Sequence, residues 1–272
     1  MAGAGVFPKV LGDIIYAQDF NTVKDVVQSV YATAYGQTST VPTVSENAGI
    51  FAAPWDLLRA ELDLCYTHIT GSGSGVADVA PGDVITSTDV NLYKTRADYC
   101  YTNRLTVYAS TQLSLVSASS SNRPGTGWNT SIQHQVRITF ASTAEAEYFF
   151  VCGGYFTNTP SASGGSGGTK NTNWATAINS VGSSWTYAIA DYNAGNKSTN
   201  YAVSSYSPSV LTMSCVKESG SSLLFTALFN DSSGGIPDET IDLNITSNFS
   251  YYKSVNAVVS ALPSAITVIS TL

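Results

Sequence analysis

Charge is scarce in this chain of 272 residues: Asp, Glu, Lys and Arg make up 11% of it, against roughly 25% in an ordinary soluble protein. Low charge leaves a free monomer poorly soluble, so the composition suits a chain whose surface is covered by copies of itself or by partners. Positive charge is the scarcer sign. Twelve Lys and Arg against nineteen Asp and Glu give a net charge of −7 and a pI of about 4.6. The few cations are scattered and form no patch for a phosphate backbone, so no nucleic acid is expected as a partner. No apolar run approaches the roughly 18 residues of a membrane span, and the first residues lack the basic segment and apolar core of a signal peptide. No membrane partner and no export by that route are expected.

Chemistry is equally sparse. There are two histidines, His68 and His134. His134 falls at an inward position of a predicted strand and reads as a hydrogen-bonded structural residue. No G-x-S-x-G elbow accompanies either, and paired carboxylates of the kind that hydrolyse glycosides cannot be located. The Gly-rich runs at 71–75 and 164–168 lack the Lys-Ser/Thr that completes a phosphate loop. Cys65, Cys100, Cys152 and Cys215 lie far apart with no C-x-x-C pair. They read as small buried apolar residues, and a reducing cytoplasm argues against a disulfide. The one acidic cluster, Asp231, Asp238, Glu239 and Asp242, offers ligands for a hard cation such as calcium, but its spacing is not that of an EF-hand and it reads as a solvated turn. Sequons at Asn129, Asn196, Asn230, Asn244 and Asn248 carry little weight in so Ser/Thr/Asn-rich a chain. No catalytic residue, cofactor or metal site is assigned, and an enzyme is not expected.

What the chain does have is Tyr, Trp, Ser, Thr, Asn and Gly, arranged in two differing parts. Residues 1–120 read as a helical assembly region. Met1 to Leu11 looks like an extended arm, Pro8 opposing a helix there. Phe20, Val23, Val27 and Val30 fall at helical spacing and predict a helix from Gln18 to about Tyr31. Pro54 opens a second helix with Trp55, Leu58, Leu62 and Cys65 inward, ended by the flexible run at 71–75, which reads as a linker or a long loop. Val90, Tyr93, Ala97, Tyr101 and Leu105 predict a third from Ser87 to Ala109. The Ser-rich stretch from Ser117 to Gly127 marks the boundary.

Residues 121–272 read as a β-rich sandwich with short helices, so the fold class is α+β with a mainly antiparallel second domain. Ile132, His134, Val136, Ile138 and Phe140 alternate with polar residues as in a half-buried strand. A brief helical turn capped by Ser142 then leads into Tyr148 to Cys152, read as a buried strand, and the bend at Gly153-Gly154. The stretch from Pro160 to Asn173 reads as an exposed loop, followed by a helix capped by Thr172 or Asn173 that carries Trp174, Ala177, Ile178 and Val181. Strands are expected at Trp185 to Ala190, Tyr201 to Tyr206, Val210 to Lys217, Leu223 to Asn230, Ile241 to Ser250 and Ala257 to Ile269. The sixteen tyrosines and four tryptophans suit core and subunit interfaces, or a surface that stacks on sugars.

Several motifs lie in order along the chain: Gly12-Asp13-Ile14-Ile15, Asp19-Phe20-Asn21-Thr22-Val23, Tyr35-Gly36-Gln37, Ile50-Phe51, Trp55-Asp56-Leu57-Leu58-Arg59, Val136-Arg137-Ile138-Thr139-Phe140, Glu147-Tyr148-Phe149-Phe150 with Gly153-Gly154, Asn173-Trp174, and Asp242-Leu243-Asn244-Ile245-Thr246. In this order the chain resembles the virion structural proteins of tailed bacteriophages, especially those infecting cyanobacteria. Val151-Cys152 departs from the Asn that such proteins more often carry before the glycines. The resemblance implies a multi-copy virion component of the tail, tail fibre or baseplate, made in the host cytoplasm, whose partners are copies of itself and other virion proteins. It implies no catalytic residue. A receptor-binding module for host surface glycan and a head decoration protein are the alternatives.

Overall fold

A computed structural model describes residues 4–46, 51–108, 113–123, 127–182, 185–233, 239–254 and 262–269. The fold is α+β, with helices in the first part and antiparallel sheets in the second. The chain divides into two compact units. One is 1–112 with 151–153 and 254–260, and the other is 113–150 with 154–253 and 261–272.

The first unit holds α1 (Ala17–Ala34), α2 (Ala52–Thr70) and α3 (Ser87–Thr102), whose starts are 35 residues apart. That interval is a repeat. Aligned at this period, 1–35, 36–70 and 71–105 carry Val6, Val41 and Val76, then Ile15, Ile50 and Ile85, then Tyr31, Tyr66 and Tyr101, with a basic residue at Lys24, Arg59 and Lys94. Equivalent positions build the core in layers: Phe20, Trp55 and Val90, Val23, Leu58 and Tyr93, Val27, Leu62 and Ala97, and Val30, Cys65 and Cys100 are all buried. The first three layers mix large and small side chains, so the volume across each is shared rather than duplicated, while the last, of Val30, Cys65 and Cys100, is small throughout. The helices run parallel, because like ends meet. The Phe20 ring stands edge-on to Trp55 at 4.9 Å near one end of α1 and α2, and Tyr35 to His68 at 4.9 Å near the other. Trp55 and Tyr93 at 4.9 Å, with Tyr66 and Tyr99 at 5.3 Å, place α3 alongside α2 in the same sense.

Each helix also holds the extended segment that leads into another. Asn21 accepts the Val44 N–H at 3.0 Å and donates to the Val44 carbonyl at 2.7 Å. Asn91 does the same to Lys9, at 2.8 and 2.7 Å. Asp56, at the equivalent place in α2, accepts the Val79 N–H at 3.0 Å. A carboxamide has one acceptor and one donor, matching the two orphan groups of an isolated extended residue, while a carboxylate serves only the N–H. The first copy therefore grips the second, the second grips the third, and the third grips the first, a closed ring about a pseudo-threefold axis. The basic position follows the same rule. Lys24 reaches Gln28 and Thr43, Arg59 reaches Asp63 and Asp78, and Lys94 reaches Asp98 and stands 5.8 Å over the Phe7 ring.

The ring corrects several expectations. Residues 4–10 are no free arm: Lys9 is buried, clamped by Asn91 and paired with Asp19 at 2.8 Å. The run at 71–75 is a repeat junction and not a linker, since Ser74 is buried and its N–H bonds Asp63 at 2.8 Å. Pro54 is the third residue of α2, and α3 stops at Thr102 because the Asn103 N–H and side chain both close on the Tyr99 carbonyl.

The second unit runs β1 (Leu113–Arg123), β2 (Ser131–Thr139), α4 (Thr143–Val151), β3 (Tyr155–Ser163), α5 (Thr169–Val181), β4 (Thr186–Tyr187), α6 (Ile189–Ala194), β5 (Asn196–Ala202), β6 (Val210–Ser219), β7 (Ser222–Asn230), β8 (Asn244–Ser254) and β9 (Ala265–Val268). One sheet has the order β1-β8-β3-β4 and the other β5-β6-β7-β2-β9. They face each other through Phe225 of β7, 5.3 Å from Phe156 of β3 and 4.6 Å from Phe249 of β8. β2 buries Ile132, His134, Val136 and Ile138, as its alternation predicts.

Elsewhere the boundaries differ from expectation. The run Tyr148 to Val151 continues α4 and is not a strand, because Ala146, Phe149 and Phe150 form one buried helical face and the Gly154 N–H closes on the Phe149 carbonyl at 2.8 Å. The stretch 160–173 is not one loop. β3 extends to Ser163, and α5 starts at Thr169 behind the N-cap Gly168, not Thr172 or Asn173. The Ser-rich 113–123 is strand β1 rather than a boundary loop. β4 is only two residues because α6 begins at Ile189, and β5 precedes its expected place. The turn at 124–126 and the start of the last expected strand, 257–261, lie outside the described residues.

Candidate interaction surface

In the first unit, the turns that deliver the chain into α1 and α3 are the same device twice. The Val10 N–H bonds Asp13 Oδ2 at 2.9 Å and the Asp13 N–H returns to the Val10 carbonyl at 3.0 Å. Ala80 and Asp83 repeat this at 2.7 and 3.0 Å. Gly12 and Gly82, with φ of +92° and +98°, occupy the third position of each turn, where a left-handed residue is required. A Cβ there would meet nothing within 4 Å, so conformation and not crowding selects glycine. Asp19 and Asp89 then cap the helices by accepting from the Tyr16 and Thr86 N–H groups at 2.7 and 2.8 Å. The corresponding turn of the second copy, 45–48, runs into 47–50, which lie outside the described residues.

These bonds fix the loops through backbone and carboxylate alone, which leaves the intervening apolar side chains without a part in the fold. Leu11 is 98% exposed, Val84 82%, Phe51 75% and Ile14 57%. All stand at the end where the three parallel helices begin. An open groove of roughly 360 Å³ runs between Phe51, Ala53 and Trp55 on one side and Val79, Pro81 and Ile85 on the other. Within 10–16, 45–51 and 80–86 the only charged residues are Asp13, Glu46 and Asp83. The exposed side chains described at this end are thus mainly apolar, a crown to which the loop sequences add acidic groups and no Lys or Arg. The signal that finds it is the 35-residue period, visible in Ile15, Ile50 and Ile85; a reading that sought helical spacing one segment at a time passes over it.

The residues weighed for chemistry are taken up elsewhere. His134 is buried with Nδ1 2.7 Å from the Ser247 hydroxyl and its ring edge-on to Phe229, and His68 is buried against Tyr35. The four cysteines are free and buried. Burial pushes the Cys65, Cys100 and Cys215 thiols up, Cys100 to about 12. Since the thiolate is the reactive form, the native protein at pH 8 is expected to leave an aromatic disulfide reagent almost untouched and to consume four equivalents once unfolded. Rapid reaction of the native protein would contradict this burial.

The acidic cluster is dispersed. Asp231 is not solvated: it is buried, 2.6 Å from the equally buried Lys170 and bonded by the Ser209 and Ser233 hydroxyls. Glu239 accepts the Lys170 N–H at 3.1 Å in the first turn of α5. Asp242 holds the loop 164–168 through the Ser166 N–H at 2.9 Å and Asn171 at 2.5 Å, and these bonds keep its carboxyl below the usual range. Asp238 lies outside the described residues, and among the described residues no three His, Cys, Asp or Glu side chains gather as a metal site would require. No described helix is long and apolar enough to cross a membrane. Against family models, curated proteins and solved structures the chain finds no match.

Proposed function

We propose that this chain is a structural component of a bacteriophage virion, present in many copies at the tail, tail fibre or baseplate and acting by packing against its neighbours. The observation that carries the reading is the crown. Leu11 and Val84 stand in solvent on loops whose hydrogen bonds make no use of them, and Phe51 is exposed where α2 begins. Singly such residues are ordinary, but several at one end of one unit suit a surface that is covered in assembly. The resemblance of the motifs to tailed-phage virion proteins supports the setting, and the low charge supports the crowded surface.

Gold-labelled antibody against the chain, applied to purified particles, is expected to decorate the tail or its tip. Label confined to the head would favour a decoration protein instead. Particles free of the chain would sink the virion reading, and specific binding of the purified chain to host polysaccharide would favour a glycan receptor-binding module.

A further inference from the structure

The second unit leaves one long sheet edge open, wherever in a particle the chain sits. We propose that β5 pairs with β5 of a second copy of this chain, antiparallel about a twofold axis at Thr199, so that two five-stranded sheets become one continuous sheet.

Unpaired backbone is the first ground. β5 is an outer strand of its sheet and bonds on one side only, to β6. The Lys217 N–H reaches the Gly195 carbonyl at 3.1 Å and the Val203 N–H reaches the Ser209 carbonyl at 3.2 Å, so the odd-numbered residues between them are the ones bonded to β6. Bonded and unbonded pairs alternate in an antiparallel ladder, which turns the N–H and C=O of Asn196, Ser198, Asn200 and Ala202 outward. Among the described residues, the bonds to Asn196 and Asn200 end on their side-chain oxygens, and nothing reaches these outward backbone groups. Native edges are blunted by shortness, proline, a bulge or charge. β4 has two residues and β9 four, but β5 has seven, with no proline and no break in register. Its one charge, Lys197, is turned to Asp191 and the Thr186 carbonyl.

Self-complementarity is the second ground, and it selects the occupant. With Thr199 on the axis, Asn196 faces Ala202 of the copy and Ser198 faces Asn200, so every outward N–H meets an outward carbonyl. On the other face Thr199 meets Thr199, and Lys197 meets the Tyr201 ring, both favourable cross-strand pairs. A slide that set Lys197 against Lys197 would oppose like charges and shorten the ladder. An unrelated strand would have to reproduce this length and spacing, whereas a second copy has both by identity.

The test uses the purified full chain. Sedimentation equilibrium is expected to show a reversible dimer. Ser198→Pro is expected to weaken it at least about tenfold with the unfolding temperature unchanged, because the N–H it removes points away from β6. Thr199→Cys is a second readout that puts no proline in a strand. Across the axis two such residues form an unbonded pair, close enough for a disulfide, so mild oxidation is expected to yield a covalent dimer, while Asn196→Cys, far from its own counterpart, yields none. The native cysteines are buried and stay out of the reaction. A monomer at every concentration, a dimer indifferent to Ser198→Pro, no covalent dimer from Thr199→Cys, or equal joining at the two positions overturns the pairing. Antibody labelling of particles decides the virion reading separately, so either can fail while the other stands.

Discussion

Lys170→Met is expected to cost the second unit about 3–5 kcal/mol, read as a lower urea midpoint for loss of its β signal. Lys170 lies in the first turn of α5, and Asp231 follows the last residue of β7. Their ion pair of 2.6 Å, at 1% and 0% side-chain exposure, ties helix to sheet where water does not reach. Removing the ammonium leaves a buried carboxylate whose remaining side-chain partners among the described residues are the hydroxyls of Ser209 and Ser233. That is the costly way to break a buried pair, whereas removing both charges is mild. Lys170→Met with Asp231→Asn should therefore recover most of the loss, because the amide oxygen still accepts from the two serines. A double variant as weak as the single one would place the defect in packing and not in the stranded charge.

The second large effect lies in the ring. Lys9→Val installs the residue that both other copies carry at the same position, Val44 and Val79, and local consistency alone would make it harmless. We expect the opposite, a loss of about 3–5 kcal/mol, because Asp19 is buried and Lys9 Nζ sits 2.8 Å from its carboxylate. Asp19 also takes the Gly5 N–H on Oδ1 and the Tyr16 N–H on Oδ2, each at 2.7 Å, and a carboxamide can accept only one of the two. Lys9→Val with Asp19→Asn is therefore expected to recover part of the loss, by removing the buried charge, and to stay below the parent protein by the one unsatisfied N–H. A fully stable Lys9→Val protein would mean that the pair contributes nothing and that Asp19 is held by its backbone donors alone.

The parts of this fold that could be read from the chain are those where one periodicity runs unopposed. The alternation from Ile132 to Ile138 became β2 with its buried face intact, and Phe20, Val23, Val27 and Val30 mark the inner face of α1. The misreadings share a cause. Tyr148 to Val151 is apolar enough for a buried strand, and only the placement of Ala146 one turn before Phe149 and Phe150 decides for a helix. Pro160 to Asn173 has the composition of a loop, yet Ser, Thr and Asn pair well across β3 and β8, where backbone bonds and not side chains make the ladder. Asp231 looks like a surface acid until Lys170, distant in sequence, is brought against it. The crown was hidden differently: its residues are ordinary one by one, and only the repeat and their exposure together set them apart.

A linear array of helical repeats leaves its first and last members half-dressed, so solenoids need special terminal modules and tolerate the insertion of more units. The exchange of Lys9, Val44 and Val79 among the three helices removes that need, since every gripping residue already has its segment and every segment its grip. A fourth unit would find nothing left to hold. Three is the number at which this architecture saturates, and lengthening it would require opening it first.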